Sequence, residues 1–387
     1  MSDELYDKRE QTQVKHYILG HYLERFAHIV GSHWNSITYV DGFAGPWNVQ
    51  SPELSDSSFA IALRELRKAR ATHHHRGREI RLRCFFLEQN RDAYTQLREF
   101  ANKVTDADIK VCNNSFEASI DSILEFIQED PESFPFIFID PTGWTGFALG
   151  TIAPLLRLDP GEVLINFMTG HIRRFLNEEH SQQSFQKLFG STRFKERIAG
   201  LSGRERDDAA VAEYMASLKR TGNFQYVLPA LVLHPEIDRT HFHLIYATGH
   251  PRGVEVFKET EKRAMGEMER VREQAQRRRR EERSAQQEFS FGMKGTPESQ
   301  HYIALREHYL NLSRNAVLNQ LRQLGGISYD NAWMLALSLP LVWESDLRNW
   351  IQEWQRSGHL SLEGLAERER VPKREHSHFL RWQGPRR

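Results

Sequence analysis

Ile37-Thr-Tyr-Val-Asp-Gly-Phe-Ala-Gly45 reads as a short buried strand running into a glycine turn. The apolar and β-branched run stops at Asp41, and glycines at 42 and 45 allow a backbone to come close to a bound molecule. Ligands of open α/β sheets bind beyond the carboxyl ends of the strands. Asp41, Gly42, Phe43, Ala44 and Gly45 are therefore the first candidate ligand-binding residues, although a strand-ending Asp-Gly also serves as a plain turn.

The segments around this strand repeat its pattern. Residues 12–30 place Val14, Ile18, Leu19, Tyr22, Leu23, Phe26 and Val30 at helical spacing. Apolar runs at 82–87, 109–112, 136–139 and 163–167 alternate with helical stretches at 58–68, 91–103 and 116–127. Strands alternating with helices predict an α/β, Rossmann-like domain with a mostly parallel sheet covered on both faces. Runs at 226–233 and 241–247, separated by a polar segment, predict an antiparallel pair that ends the sheet. Residues 171–222 read as a charged helical insertion over the carboxyl edge of the sheet, and the first domain closes near residue 253.

Residues 254–297 read as a long charged helix and linker containing Arg277 to Arg280. Residues 298–387 hold two helical stripes, including Trp343, Leu347, Trp350, Ile351 and Trp354, then two short strands around a basic loop with Lys373 and Arg374. That order predicts a smaller α+β, winged-helix-like domain. At 387 residues the chain exceeds the ~250–300 at which one core stops growing, which agrees with two domains.

Fifty-two basic and fifty-two acidic residues cancel, so affinity for nucleic acid has to come from local patches. The candidates are Arg173 and Arg174 after the fifth strand, Arg277 and Arg278 in the charged helix, and Lys373 and Arg374 in the loop. A run of arginines on a helix is also an ordinary solvated face. Cys84 and Cys112 sit in apolar runs and read as core residues rather than ligands or bridge partners. No apolar run approaches the ~18 residues of a membrane span, and a cytoplasmic protein is the expectation. His73-His-His75 lies in what reads as a polar loop without carboxylate or cysteine neighbours, so no metal site is expected.

Each remaining strand also ends in polar residues. Glu88 follows Phe85-Phe-Leu and is placed to take a ribose diol, though it comes more than twice as far after the first turn as the ~20 residues of a compact β-α-β unit. Residues 46–57 and 71–79 are then loop insertions, the first able to cover the site. Asn114 and Ser115, after the third strand, are candidates for an adenine edge. Asp140-Pro141-Thr-Gly-Trp144 closes the fourth strand, with Asp140 and Pro141 candidates to orient an acceptor and Trp144 to stack on it.

The fingerprint G-x-G-x-x-G of dinucleotide folds is not present, and Asp41 disfavours a diphosphate. The cationic sulfonium and ammonium of S-adenosylmethionine suit it better. Tyr39-Val-Asp-Gly-Phe-Ala-Gly-Pro46, Ser58-Phe-Ala-Ile-Ala-Leu63, Glu88 and Phe138-Ile-Asp-Pro-Thr-Gly143 together resemble the three-Cys-motif partner proteins, a bacterial family similar to class I methyltransferases. The resemblance covers roughly residues 12–250. It implies a cofactor role for Asp41, Gly45 and Glu88, an acceptor-facing Asp140, and a separate cysteine-motif partner protein. Trp47 replaces a glycine common in methyltransferase first motifs, and the second proline and aromatic of the Asp-Pro-Pro-Tyr tetrad are missing. Two functions follow as expectations: a methyltransferase acting on nucleic acid, or a non-catalytic nucleoside-binding module that serves a partner enzyme.

Overall fold

The computed structural model of the chain describes residues 3–46, 49–176, 178–284, 298–366, 369 and 371–384. Trp47 lies outside these residues, as do 285–297 of the expected linker and residues 367, 368 and 370 of the basic loop. The chain divides into two compact units, Met1–Val227 with Leu231–Lys294, and Leu228–Ala230 with Gly295–Arg387.

The first unit opens with α1 (Glu10–Val30), followed by β1 (Ser36–Asp41), α2 (Ser58–His74), β2 (Arg81–Leu87), α3 (Arg91–Asn102), β3 (Asp108–Cys112), α4 (Ile120–Gln128) and β4 (Ser133–Ile139). It continues through α5 (Leu149–Leu156), β5 (Glu162–Phe167), four helices α6 (Thr169–Phe175), α7 (Gln182–Phe189), α8 (Arg193–Ile198) and α9 (Gly203–Thr221), then β6 (Tyr226–Leu233), β7 (Thr240–Thr248) and α10 (Pro251–Ser284). The sheet order is β3-β2-β1-β4-β5-β7-β6, with parallel pairing from β3 to β5 and β7 antiparallel to β5. This is a seven-stranded, mostly parallel, Rossmann-like sheet.

Burial on both faces explains the apolar runs of the central strands. On one face Val40, Phe85, Ile137, Ile165 and Ile245 join Ile123 of α4, Ile152 of α5 and Tyr214 of α9 in one core. Alternate residues meet the opposite layer: Phe136 packs on Tyr22 and Phe26 of α1, Phe86 on Phe59 of α2, and Tyr246 on Phe257 of α10. Prolines fall where their missing N–H is tolerated. Pro135 precedes the first β4 residue paired with β5, and Pro229 lies on the edge strand β6.

Three expectations change. The 71–79 segment is not wholly loop, because α2 runs to His74; His73 is buried with Nε2 3.0 Å from the His28 carbonyl oxygen. The helical insertion is not confined to the carboxyl edge. Its longest helix, α9, packs on the face of the sheet, with Tyr214 stacked on Phe167 at 4.4 Å. The charged helix α10 belongs to the first unit and packs along α1 instead of acting as a separate connector.

The second unit consists of α11 (Gln300–Leu324), β8 (Gly326–Ser328), α12 (Tyr329–Leu337), α13 (Glu344–Arg356), β9 (Leu360–Glu363) and β10 (Phe379–Trp382), with an antiparallel sheet ordered β8-β10-β9. The tryptophan stripe of α13 is core: Trp350 and Trp354 are buried with Leu347 and Ile351. Among the described residues no helix is long and apolar enough to cross a membrane.

Candidate functional site

The chain builds outward from β1 to β3 and then returns to lay β4 on the other side of β1. Loops leaving β1 and β4 therefore part in opposite directions and open a crevice at the carboxyl ends. A cleft of about 810 Å³ occupies this position, within the ~300–1,000 Å³ usual for small-molecule sites.

The β1 turn forms its floor. The Gly42 amide donates to the Phe138 carbonyl at 3.0 Å and the Ala44 amide to the Leu87 carbonyl at 2.8 Å, which ties the turn to both neighbouring strands. Gly42 is required by packing, since a Cβ there would come within 2.7 Å of the Phe116 ring. Gly42, Phe43 and Gly45 line the cleft. Asp41 and Ala44 do not; both are fully buried behind the turn. The Asp41 carboxyl accepts hydrogen bonds from Ser58 Oγ at 2.6 Å, the Phe43 amide at 3.1 Å and the Tyr39 hydroxyl at 3.3 Å. Burial, reinforced by the nearby Asp140 charge, pushes its pKa up to about 7. Its direct part is to shape the turn.

Glu88 is 5% exposed and lines the next part of the cleft, one oxygen accepting the Asn90 amide at 2.5 Å. Asn90 also caps α3 through its side chain. Asn114 lines the cleft and accepts the Ser115 amide at 2.9 Å. Ser115 stands outside the lining, its hydroxyl oxygen accepting the Ala118 amide at 3.3 Å as a local cap. The 46–57 loop contributes Val49, Asp56 and Ser57 to the lining, and Asp56 holds it by accepting from Arg9 at 2.6 Å and from the amides of Gln50 and Ser51.

At the end of β4, Asp140 and Pro141 line the cleft. Asp140 receives a hydrogen bond from the Lys15 ammonium of α1 and another from Asn166 Nδ2 of β5 at 2.7 Å. Trp144 is a correction to the stacking expectation. Its ring stacks on Phe185 at 5.5 Å and lies 4.6 Å from Phe175, and its indole N–H donates to Ser184 at 2.9 Å, so it is half-buried against the core and does not line the cleft. His241 also lines the cleft; burial, with His234 nearby, pushes its pKa down to about 4.

The basic residues proposed as nucleic-acid contacts are mostly engaged elsewhere. Arg173 is paired with buried Asp207, while Arg174 is exposed and lies over the Phe175 ring at 5.8 Å. Arg277 donates to Glu281, and Arg278 to Asp7 and Glu10. Lys373 pairs with Glu369, and Arg374 pairs with Glu375 while covering the Trp333 ring at 4.4 Å. Cys84 and Cys112 are free thiols. Among the described residues, Glu369, His376 and His378 bring possible metal-binding atoms within 4.8 Å of one another, but His378 already accepts the Lys373 amide at Nδ1 and meets Glu369 at Nε2.

Sequence reasoning missed Lys15, Asn166, Arg9 and Asp56. Lys15 reads as the polar side of an amphipathic helix, and Asn166 is a single polar residue inside an apolar strand. The fold and cleft define a Rossmann-like α/β protein with a crevice at the strand switch. No family model matches the chain, and no curated protein matches it. Among solved structures it is similar to protein LPL1258 of Legionella pneumophila str. Philadelphia 1, with 13% identity, a TM-score of 0.38, and coverage of 63% of this chain and 87% of that one. It is also similar to a loganic acid methyltransferase solved with SAH, with 8% identity, a TM-score of 0.31, and coverage of 71% and 89%. At those scores neither likeness carries an argument about cofactor or activity.

Proposed function

We propose that the cleft binds S-adenosylmethionine and that the chain is a methyltransferase-like protein acting on a nucleic acid. The observation that carries this reading is one crevice lined by residues from two groups of strand ends. Gly42, Gly45, Glu88 and Asn114 surround the ends of β1 to β3, and Asp140, Pro141 and Asn166 surround the ends of β4 and β5. The first group suits a nucleoside cofactor and the second a separate acceptor.

The charge pattern favours a cationic nucleoside over a dinucleotide. Among the described lining residues the only lysine and arginine are Lys15 and Arg9, each paired to a carboxylate, and this leaves no cation ready for a diphosphate. Glu88 would hold the ribose, and the turn over Asp41 the methionine end. The cofactor itself supplies a methyl group on a sulfonium. The chain's residues would orient the two ligands, a contribution that positioning alone makes large.

The nucleic-acid acceptor and a cysteine-motif partner rest on the sequence resemblance. The order of helices and strands in the second unit, with sheet order β8-β10-β9, supports reading it as a winged helix. A non-catalytic module is the second reading, favoured by the engagement of both Asp140 oxygens. Calorimetry with S-adenosylmethionine and S-adenosylhomocysteine on wild type and Glu88→Ala tests cofactor binding, with at least about tenfold weakening expected for the variant. Methyl transfer to mixed DNA and RNA then separates the two readings. Binding without transfer supports the module, and no binding of either compound removes both.

A further inference from the structure

Asp140 uses both carboxylate oxygens. Oδ2 receives Lys15 Nζ and Oδ1 receives Asn166 Nδ2. An ionised carboxylate only accepts hydrogen bonds, so the second contact fixes which end of the Asn166 amide carries nitrogen. The carbonyl end, Oδ1, is buried without a hydrogen-bond partner, in a residue that is 3% exposed and forms part of the cleft wall. An amide oxygen left unpaired in this way keeps the cost of losing its water, and native proteins leave few such atoms. A ligand in the cleft that donates a hydrogen bond removes the cost.

Charge and shape narrow the donor. The Lys15 and Asp140 charges balance each other, and His241 on the same side is neutral at pH 7. An ammonium would meet the Lys15 charge without an unpaired carboxylate to answer it, whereas a neutral N–H meets only the amide oxygen. Pro141, Met168 and Phe242 add flat and apolar surface to this part of the lining.

We propose that Asn166 Oδ1 is the atom that receives the N–H of the cleft's second ligand, a neutral planar amine such as the amino group of cytosine or adenine. Asp140 is then a positioning residue that sets the direction of the Asn166 amide. The inference rests on the cofactor reading in one respect, that the β1 to β3 half is left to the cofactor.

The test uses the full-length protein saturated with S-adenosylhomocysteine and titrated with cytidine, uridine, adenosine and inosine. Within each pair an exocyclic amine beside an acceptor ring nitrogen is replaced by a carbonyl beside a ring N–H, so the pairs distinguish the exocyclic amine from a ring N–H as the donor. Cytidine and adenosine should bind at least about tenfold tighter than uridine and inosine, since at the exocyclic position a carbonyl would set oxygen against oxygen, and tighter binding of uridine or inosine would make the ring N–H the donor and overturn the assignment to an exocyclic amine. Asn166→Ala and Asn166→Leu should bring each pair within about twofold while S-adenosylhomocysteine affinity stays within about twofold. Asp140→Asn, which frees the amide to reverse, should shrink the ratio in the same direction. A general loosening of the fold would weaken both members of a pair alike and leave the ratio unmoved. Equal binding within pairs by wild type, no binding of any of the four nucleosides, or an unchanged ratio in Asn166→Ala overturns the proposal. Should S-adenosylhomocysteine fail to bind, the cofactor reading falls, and the cytidine to uridine ratio on the unliganded protein still decides the role of Asn166.

Discussion

Three hydrogen-bond donors only partly offset the burial of Asp41, and the Asp140 charge adds to it, so its pKa rises from 3.8 to about 7. The folded protein therefore keeps a proton there that the unfolded chain has already lost. Stability falls by about 1.4 kcal/mol per pH unit as pH rises from 3.8 towards 7, then levels off once both states are ionised. Asn cannot ionise, and the Ser58 and Tyr39 hydroxyls can turn to suit its amide. Asp41→Asn should melt several degrees above wild type at pH 8, with the gap closing near pH 4. Thermal unfolding at the two pH values measures this, and a gap that does not depend on pH would show that Asp41 is ionised throughout. A cationic ligand near the turn should draw out the same proton, so S-adenosylmethionine should gain on neutral S-adenosylhomocysteine as pH rises through 7.

At the scale of elements, the arginines of α10 act as a clasp. Arg278 reaches Asp7 and Glu10 at the start of α1, Arg270 reaches Asp3, and Arg25 of α1 returns to Glu259. Exposed pairs contribute about 0.2–1 kcal/mol each, and Glu10, 6% exposed, would be left with less compensation. Arg277→Ala with Arg278→Ala should lower the melting temperature by about 2–4 °C and leave nucleic-acid affinity within about twofold. Unchanged melting with several-fold weaker binding would instead make these arginines a contact surface. The strands of the first unit were legible because burial on both faces writes continuous apolar runs. The helix α5 was not, since it is eight residues long and contains Pro154, and neither were the three-residue β8 and the short α12. Trp144 was misread because Phe175 and Phe185, which cover it, come from α6 and α7, far along the chain. Lys15 was invisible for the same reason: its partner Asp140 is 125 residues away.

Over the whole molecule, equal numbers of acidic and basic residues leave no net field to attract a polyanion, and local pairing reduces what remains. In the second unit Arg306 bonds Asp346, Arg314 bonds Glu353, Arg348 bonds Glu344 and Arg381 bonds Glu363, besides the Lys373 and Arg374 pairs. A cation already matched to a carboxylate has few counterions to displace from a nucleic acid when it binds. Binding of a single-stranded DNA or RNA oligonucleotide should therefore weaken only gently with salt, with a slope of log affinity against log salt between about −1 and −3. On the proposed nucleic-acid reading, recognition would then come from the cleft's contacts with a base. Fluorescence anisotropy between about 50 and 200 mM salt gives the slope. A value steeper than about −5 would require the pairs to open on binding and would make these arginines the contact surface.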